Sequence, residues 1–195
     1  VLMNHDSIIG ANDLAFTKAE IEKVVGKTKN PSSDAIWELT QGWPIAVRLY
    51  QVAGFEPGST QDPNLVMRNY IRDHVLPSLP EDYAQIALET SIGVDLTNDL
   101  AIAITNYDKA GFLLDEIANR GLFVDRVAVA GSYVYRWNAL FAQHCRSKKK
   151  KKDSNKCLEC VERGAIHLET TDPLTAISLW LKVDRVDEAI QTLLD

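Results

Sequence analysis

The sequence has few cysteines, and it lacks long apolar runs and the common catalytic motifs. Three cysteines in 195 residues are too few and too odd in number for a disulfide framework, which favours a reducing, cytoplasmic compartment. No apolar run approaches the roughly 18 residues of a membrane span, so we expect no membrane association. The first residues, VLMNHDSIIGAN, contain no basic stretch leading into an apolar one, so we expect no signal peptide. Position 1 is Val rather than Met, which indicates a piece of a longer protein.

Catalytic motifs are absent as well. The sequence contains no GxxxxGK[ST], no GxSxG and no HExxH. Its four histidines are dispersed, and none has an obvious nucleophile or ligand set beside it; they are His5, His74, His144 and His167. We therefore predict a chain without catalysis of its own and without a metal site.

The pair Cys157 and Cys160 has a spacing that occurs in zinc sites and in redox pairs. Zinc would need two further ligands, and a redox pair belongs where a strand meets a helix. The surrounding pattern is helical, so the favoured interpretation is two small apolar residues on a helix face.

The charge balance is acidic, with a formal net charge of −6. Six of the 21 basic residues lie in RSKKKKK at 146–152, and without them 15 basic residues would face 27 acidic ones. General nucleic-acid binding needs a cationic face, which this composition does not favour. The run Lys148–Lys152 could contact phosphates or an acidic partner, but the preferred prediction is a solvated loop between helices.

Helix signals begin at Thr17, where Thr-Lys-Ala-Glu forms a capping box for a helix over 17–27. Ser33 is predicted to cap a second helix over 34–41. Gly42 is predicted to end that helix, and Pro44 to begin the next, because proline at the first helical position loses no needed hydrogen bond.

The remainder predicts a mainly α fold with a single β-hairpin. GLFVDRVAVAGSYVYRW at 121–137 alternates and is rich in Val and Tyr, which is typical of a hairpin, and a helix follows it. Several short helices before a hairpin and one helix after it outline a winged helix. The end of the chain predicts the start of an antiparallel helical array. The predicted helices beyond the first three span 64–77, 80–91, 97–105, 109–120, 153–169, 173–182 and 185–195.

The order of several segments resembles a known family. The segments are NDLAFTKAEI, LTQGWPIAVRL, YIRDHVLPSLPEDYAQIALETSI, LDEIANRGLFVDR and YVYRWNALFAQHCR, followed by the helical array. This succession resembles the large ATP-dependent LuxR-type transcriptional regulators of the maltose-regulator-like group, which are STAND ATPases. The resemblance covers nearly the whole chain.

The resemblance implies that the chain is a middle piece of a switch protein. Residues 1–16 would end the nucleotide-binding domain, 17–56 would form a helical lid, 64–147 a winged-helix domain, and 153–195 the first helices of a helical-repeat sensor. The parent would bind ATP or ADP, act as a slow ATPase switch, sense an inducer at the array and bind DNA through a C-terminal domain absent here. The nucleotide-binding domain of the same parent would be the partner of this piece, which would need no cofactor when alone.

The resemblance also implies two nucleotide-contacting places. Gly42, Trp43 and Pro44 look like the Gly-x-Pro motif of the family's lid, in which the proline packs near the nucleotide base. Asn138 stands where the family often has a phosphate-sensing His, and Ala139 replaces a Pro. Asn can cap a helix and donate a hydrogen bond but carries no positive charge. Phosphate sensing and plain capping therefore both stay open at Asn138.

The first functional hypothesis is a regulatory module that couples nucleotide state and inducer sensing to transcription activation in the cytoplasm. The alternative is a nucleotide-free helical scaffold for protein–protein interaction, because a winged helix can bind DNA or protein. DNA binding through the wing or the lysine run fits the acidic composition poorly.

Overall fold

The computed structural model describes residues 14–26, 32–54, 63–129 and 132–194. The predictions for 1–13, for most of the loop before Pro63 and for the hairpin turn at 130–131 lie outside the described residues. Within them the chain is helical apart from one antiparallel hairpin followed by further helices, and the predicted mainly α fold class is confirmed.

Three short helices open the described chain: α1 is Lys18–Val25, α2 is Ser33–Thr40 and α3 is Pro44–Gly54. The capping box before α1 is confirmed, because Thr17 accepts from the Glu20 N–H and Glu20 Oε2 accepts from the Thr17 N–H at 2.9 Å. These helices share a small core of three fully buried side chains, Ile21, Ile36 and Val47.

The predicted cap of α2 is wrong by one residue. Ser32, not Ser33, has the extended backbone of an N-cap, and its hydroxyl accepts from the Ala35 N–H at 3.2 Å. Two adjacent serines offer the same side chain, so only the backbone conformation decides which of them caps. The predicted start of α3 at Pro44 is confirmed.

The next region has the helix and hairpin order of a winged helix. The elements are α4 Pro63–Tyr70, α5 Glu81–Thr90, α6 Asn98–Thr105, α7 Ala110–Asn119, β1 Val124–Val129, β2 Ser132–Trp137 and α8 Ala139–Lys152. A π turn, Ile71–Val75, and a 3₁₀ turn, Leu76–Ser78, continue α4.

The hairpin is tied to the loop before α6 by a single β-bridge. β1 and β2 pair antiparallel with Val124 opposite Trp137. Leu96 and Tyr135 exchange two backbone hydrogen bonds of 2.8 and 2.7 Å, which attach the loop before α6 to β2. β2 is therefore held on both of its edges at Tyr135, by β1 and by Leu96, and the hairpin cannot shift its register without breaking these bonds.

The prediction of a loop at Lys148–Lys152 is wrong, because α8 continues through Lys152. Lysine is a good helix former, and cations are favoured in the last turn of a helix, where the carbonyl ends carry partial negative charge. The next helix begins at once, since the Asp153 side chain accepts from the Lys156 N–H at 3.0 Å. No loop of any length is needed between them.

Three consecutive helices end the described chain: α9 is Ser154–Leu168, α10 is Pro173–Lys182 and α11 is Val186–Leu194. Short connections join them, and each packs beside the next. α9 also packs on the winged-helix region, where Gly164 lies so close to Ile92 that a Cβ would be 2.8 Å from Ile92 Cδ1. Within the described residues, no helix has both the length and the apolar character to cross a membrane.

Candidate functional site

The bend between α2 and α3 uses two residues with left-handed backbones, Gln41 at φ 50° and Gly42 at φ 74°. Gly42 also meets the chain before α1: its carbonyl accepts from the Phe16 N–H at 2.8 Å. A Cβ at Gly42 would lie 2.3 Å from the Phe16 carbonyl oxygen. Only glycine fits both the backbone angle and this close approach.

On the opposite side, the chain entering β1 faces the chain leaving β2. Phe123 has φ 63°, which is unusual for a bulky residue, and its carbonyl accepts from the Asn138 N–H at 2.7 Å. Asn138 caps α8, because its Oδ1 accepts from the Phe141 N–H at 3.2 Å. Its amide Nδ2 has no hydrogen-bond partner among the described residues and is therefore a spare donor.

Aromatic side chains join the two sides. Trp43 meets Phe123 edge to face at 5.0 Å between ring centroids, and Phe123 stacks on Phe141 at 4.6 Å. Trp43 also lies 6.2 Å from Tyr70 of α4. Such geometries add to the apolar burial of the rings, so the bend is packed directly on the hairpin base.

A cavity of about 390 Å³ opens between the α2–α3 bend and the hairpin base. That volume falls in the range typical of small-molecule sites. Most of its wall is apolar, and its polar side chains are Gln41, Asp125 and Asn138. The lining residues are Leu14, Ala15, Gln41, Trp43, Pro44, Ile45, Gly121, Leu122, Phe123, Val124, Asp125 and Asn138.

The structure thus brings together three of the four residues singled out from the sequence. Trp43, Pro44 and Asn138 line one cavity although nearly a hundred residues separate the first from the last. Gly42 is not part of the lining; it is buried beneath, against Phe16. Pro44 is only half-buried and has an open face toward the cavity.

Sequence reasoning missed Phe123, which lines the cavity and contacts both Trp43 and Phe141. A left-handed backbone at a phenylalanine leaves no mark in the sequence pattern. Gly121, at φ 65°, was the available signal for a sharp turn there. The contribution of Leu14 and Ala15 was also missed, because nothing in their sequence links them to the hairpin.

The arrangement suits binding rather than bond breaking. Flat apolar and aromatic walls can hold a planar ring, and a few polar groups at the edge can orient it. No nucleophile with an adjacent base lines the cavity.

The cysteine pair lies inside α9, as expected. Cys160 is fully buried and Cys157 half-buried. Within the described residues, no group of three or more His, Cys, Asp or Glu side chains could hold a metal ion. The third cysteine, Cys145, is also fully buried, and this burial raises the pKa of its thiol to about 12, so it is not a reactive thiolate.

Comparison with known proteins finds a family match in the winged-helix region. Residues 72–157 match the family model of the MalT winged helix domain. Proteins named HTH-type transcriptional regulator MalT from Serratia proteamaculans, Yersinia enterocolitica and Klebsiella pneumoniae are each 21% identical over 154 residues. Each alignment covers 72% of this chain and 17% of the relative, so the chain spans about a sixth of the length of these relatives. The chain therefore contains a MalT-like winged-helix region.

Proposed function

We propose that this chain is a regulatory segment of a transcription regulator, and that the cavity beside Pro44 receives the base of an adenine nucleotide. The similarity to MalT regulators supports the first part. The second part rests on one observation: Trp43, Pro44 and Asn138 line the same cavity. Pro44 and Phe123 would contact the faces of the base, and the spare amide of Asn138 would reach toward the phosphates.

In this proposal the parent is a LuxR-type STAND ATPase of the cytoplasm. Its nucleotide-binding domain would close the open face of the cavity, and the helices from α9 onward would begin the inducer sensor. DNA would be bound by another domain of the parent. Nucleotide state can change the packing of lid and winged helix only if ATP and ADP make different contacts with them.

Photolabelling tests where the base lies. The parent, expressed from its complete reading frame, is irradiated with 8-azido-ADP and the labelled peptides are mapped by mass spectrometry. We expect label on residues 41–45 or 121–125. Label confined to other peptides would refute the proposed base site.

A pair of proline variants tests the contact itself. Pro44→Ala should weaken ADP binding by about threefold to tenfold, because it removes buried apolar contact with the base. Pro173→Ala is the matched control, since Pro173 holds the first position of α10 far from the cavity. Equal dissociation constants for both variants and the wild type, measured by calorimetry, would contradict the proposal.

At Asn138 the capping role and the ligand role can be separated. Asn138→Ser keeps a good N-cap but removes the amide donor. We expect an unchanged melting temperature and weaker nucleotide binding. If nucleotide affinity is unchanged, Asn138 serves only as a cap.

The alternative is a nucleotide-free scaffold for protein–protein interaction. It is favoured by the apolar side chains that α10 and α11 expose, such as Leu174 at 78% and Leu193 at 69%. Absence of any nucleotide binding by the intact parent would leave this alternative.

A further inference from the structure

Two cationic side chains from different elements converge on the turn between α5 and α6. Gly93 lies in this turn with φ 89° and has no side chain of its own. A Cβ built there would be 3.4 Å from Lys182 Nζ and 3.6 Å from Arg146 Nη1. The two charges therefore lie within about 7 Å of each other, where like charges repel appreciably.

The only hydrogen bonds of the two cations within the described residues are long and go to backbone carbonyls. Arg146 donates to the Ser91 carbonyl at 3.5 Å and Lys182 donates to the Ile92 carbonyl at 3.4 Å. These distances are at the weak end for hydrogen bonds. Neither cation has a carboxylate partner in the described chain.

Most other arginines that the structure describes do have such a partner. The arginines paired with a carboxylate are Arg72, Arg120, Arg126, Arg136, Arg163 and Arg185. The nearest carboxylate on the turn, Asp95, is held by Arg136 with Nε–Oδ1 at 2.8 Å. Arg146 therefore differs from most of the described arginines in having no carboxylate partner.

Both side chains keep a solvent-exposed part that an anion can reach, while the rest of each loses some hydration. Burial lowers the pKa of Arg146. Burial first, and then the charge of Arg146, lower the pKa of Lys182. A cavity of about 260 Å³ beside the turn is lined in part by Gly93, Arg146 and the Arg136–Asp95 pair, so an anion has room to approach Arg146; Lys182 lies outside this lining.

We propose that Arg146, Lys182 and the Gly93 turn form a site for a phosphate group. Two oxygens of one phosphate can bridge the cations through charge-assisted hydrogen bonds of about 2.8 Å each. Gly93 leaves open the position that any other side chain would occupy between the two cations. The group is either free inorganic phosphate or the phosphate of a monoester, which carry the same chemistry.

The site would tie two parts of the fold together. Arg146 belongs to α8 of the winged-helix region, whereas Lys182 ends α10 of the following helices. A bound phosphate would hold α10 against the turn and replace repulsion by two attractive contacts. This inference is independent of the nucleotide cavity, which lies on the hairpin side and includes neither cation.

Thermal unfolding of the 195-residue chain tests the site. Wild type in inorganic phosphate is compared with wild type in sodium chloride of equal ionic strength. At twenty times the dissociation constant we expect the melting temperature to rise by about 4–7 °C in phosphate alone. The second arm of the experiment uses glycerol 2-phosphate, a phosphate monoester. An equal rise in melting temperature means that the site accepts a monoester, and no rise means that it binds only free phosphate. Equal melting temperatures in phosphate and in chloride would overturn the proposal.

Charge-removing variants localise the effect. In Arg146→Gln and in Lys182→Gln, phosphate should no longer raise the melting temperature. Lys109→Gln is the control, because it removes the same charge from an exposed position of the winged-helix region, and phosphate should still raise its melting temperature. In chloride, Lys182→Gln should melt no lower than wild type, because it removes a repulsion. A phosphate shift retained by either site variant would refute the site. If a site variant does not fold, an NMR titration of the wild type with phosphate replaces the melting experiment. The amide resonance of Gly93 should then shift, and a stationary resonance would refute the site.

Discussion

Gly42→Ala should destabilise the packing of α1, α2 and α3 more than a glycine substitution that causes no steric clash. An alanine at φ 74° costs about 1–2 kcal/mol in backbone strain. The new Cβ would lie 2.3 Å from the Phe16 carbonyl oxygen and must push the segment around Phe16 away. This breaks the 2.8 Å hydrogen bond from the Phe16 N–H to the Gly42 carbonyl, which is worth about 1 kcal/mol. Loss of Phe16 packing adds about 1 kcal/mol to the destabilisation. Alanine also lowers the conformational entropy of the unfolded chain, which offsets about 0.4–1 kcal/mol of this loss. The expected loss is about 2–4 kcal/mol in the free energy of unfolding.

Gly26→Ala is a control for backbone strain without a collision, because Gly26 has a similar φ of 81° but nothing within 4 Å of a Cβ. Its ψ of 176° places it in a region that essentially only glycine adopts, so the strain costs about 1–3 kcal/mol and the expected net loss is about 0–2.5 kcal/mol. Urea unfolding followed by tryptophan fluorescence measures both, and amide exchange at Phe16 reports the broken bond. If Gly42→Ala costs no more than Gly26→Ala and Phe16 stays protected, the close approach does not matter for stability.

Three further outcomes follow from the winged-helix region. Burial first, and then a hydrogen bond to a carboxylate, raise the pKa of Tyr135 to about 12. The stabilisation by the neutral phenol is complete below pH 10 and is lost as the pH rises toward 12. In Tyr135→Phe, the urea midpoint should therefore depend less on pH over that window. Lys156→Met should lower the free energy of unfolding by about 1–2 kcal/mol, because buried Glu89 loses its partner, the Lys156 ammonium at 2.7 Å. The double variant with Glu89→Gln should regain most of that stability. Gly111→Ala should lower the melting temperature despite better helix propensity, since its Cβ would lie 2.8 Å from Asn98 Cβ; a higher value would contradict this packing.

Local signals in the sequence predicted the elements well. The Thr17 capping box, Pro44 at a helix start and the alternating hairpin segment each depend on interactions within a few residues, and the structure confirms all three. Repulsion between the like charges of the lysine run predicts a loop, but the good helix propensity of lysine prevails. The immediate cap at Asp153 shows that the chain turns there without any loop.

The cavity could not be predicted from such local signals. Its walls come from the bend at Trp43, from the chain before α1 and from both ends of the hairpin, so it depends on tertiary packing. The family resemblance named Pro44 and Asn138, yet it gave no reason to include Leu14 or Phe123. The cation pair at Gly93 was hidden for the same reason, because its members are far apart in sequence.

The wall of the cavity and the core of the winged-helix region share side chains. Trp43 packs on Phe123, Phe123 stacks on Phe141, and Phe141 lies 5.5 Å from Trp137, whose indole N–H donates to Thr90 of α5 at 3.0 Å. Close-packed aromatic rings cannot shift one at a time without opening voids. A movement of the bend that displaces Trp43 must therefore be taken up by Phe123, whose backbone is already in an unfavourable region, and then by the base of the hairpin. The bend and the winged-helix core are therefore packed together through one continuous series of aromatic rings.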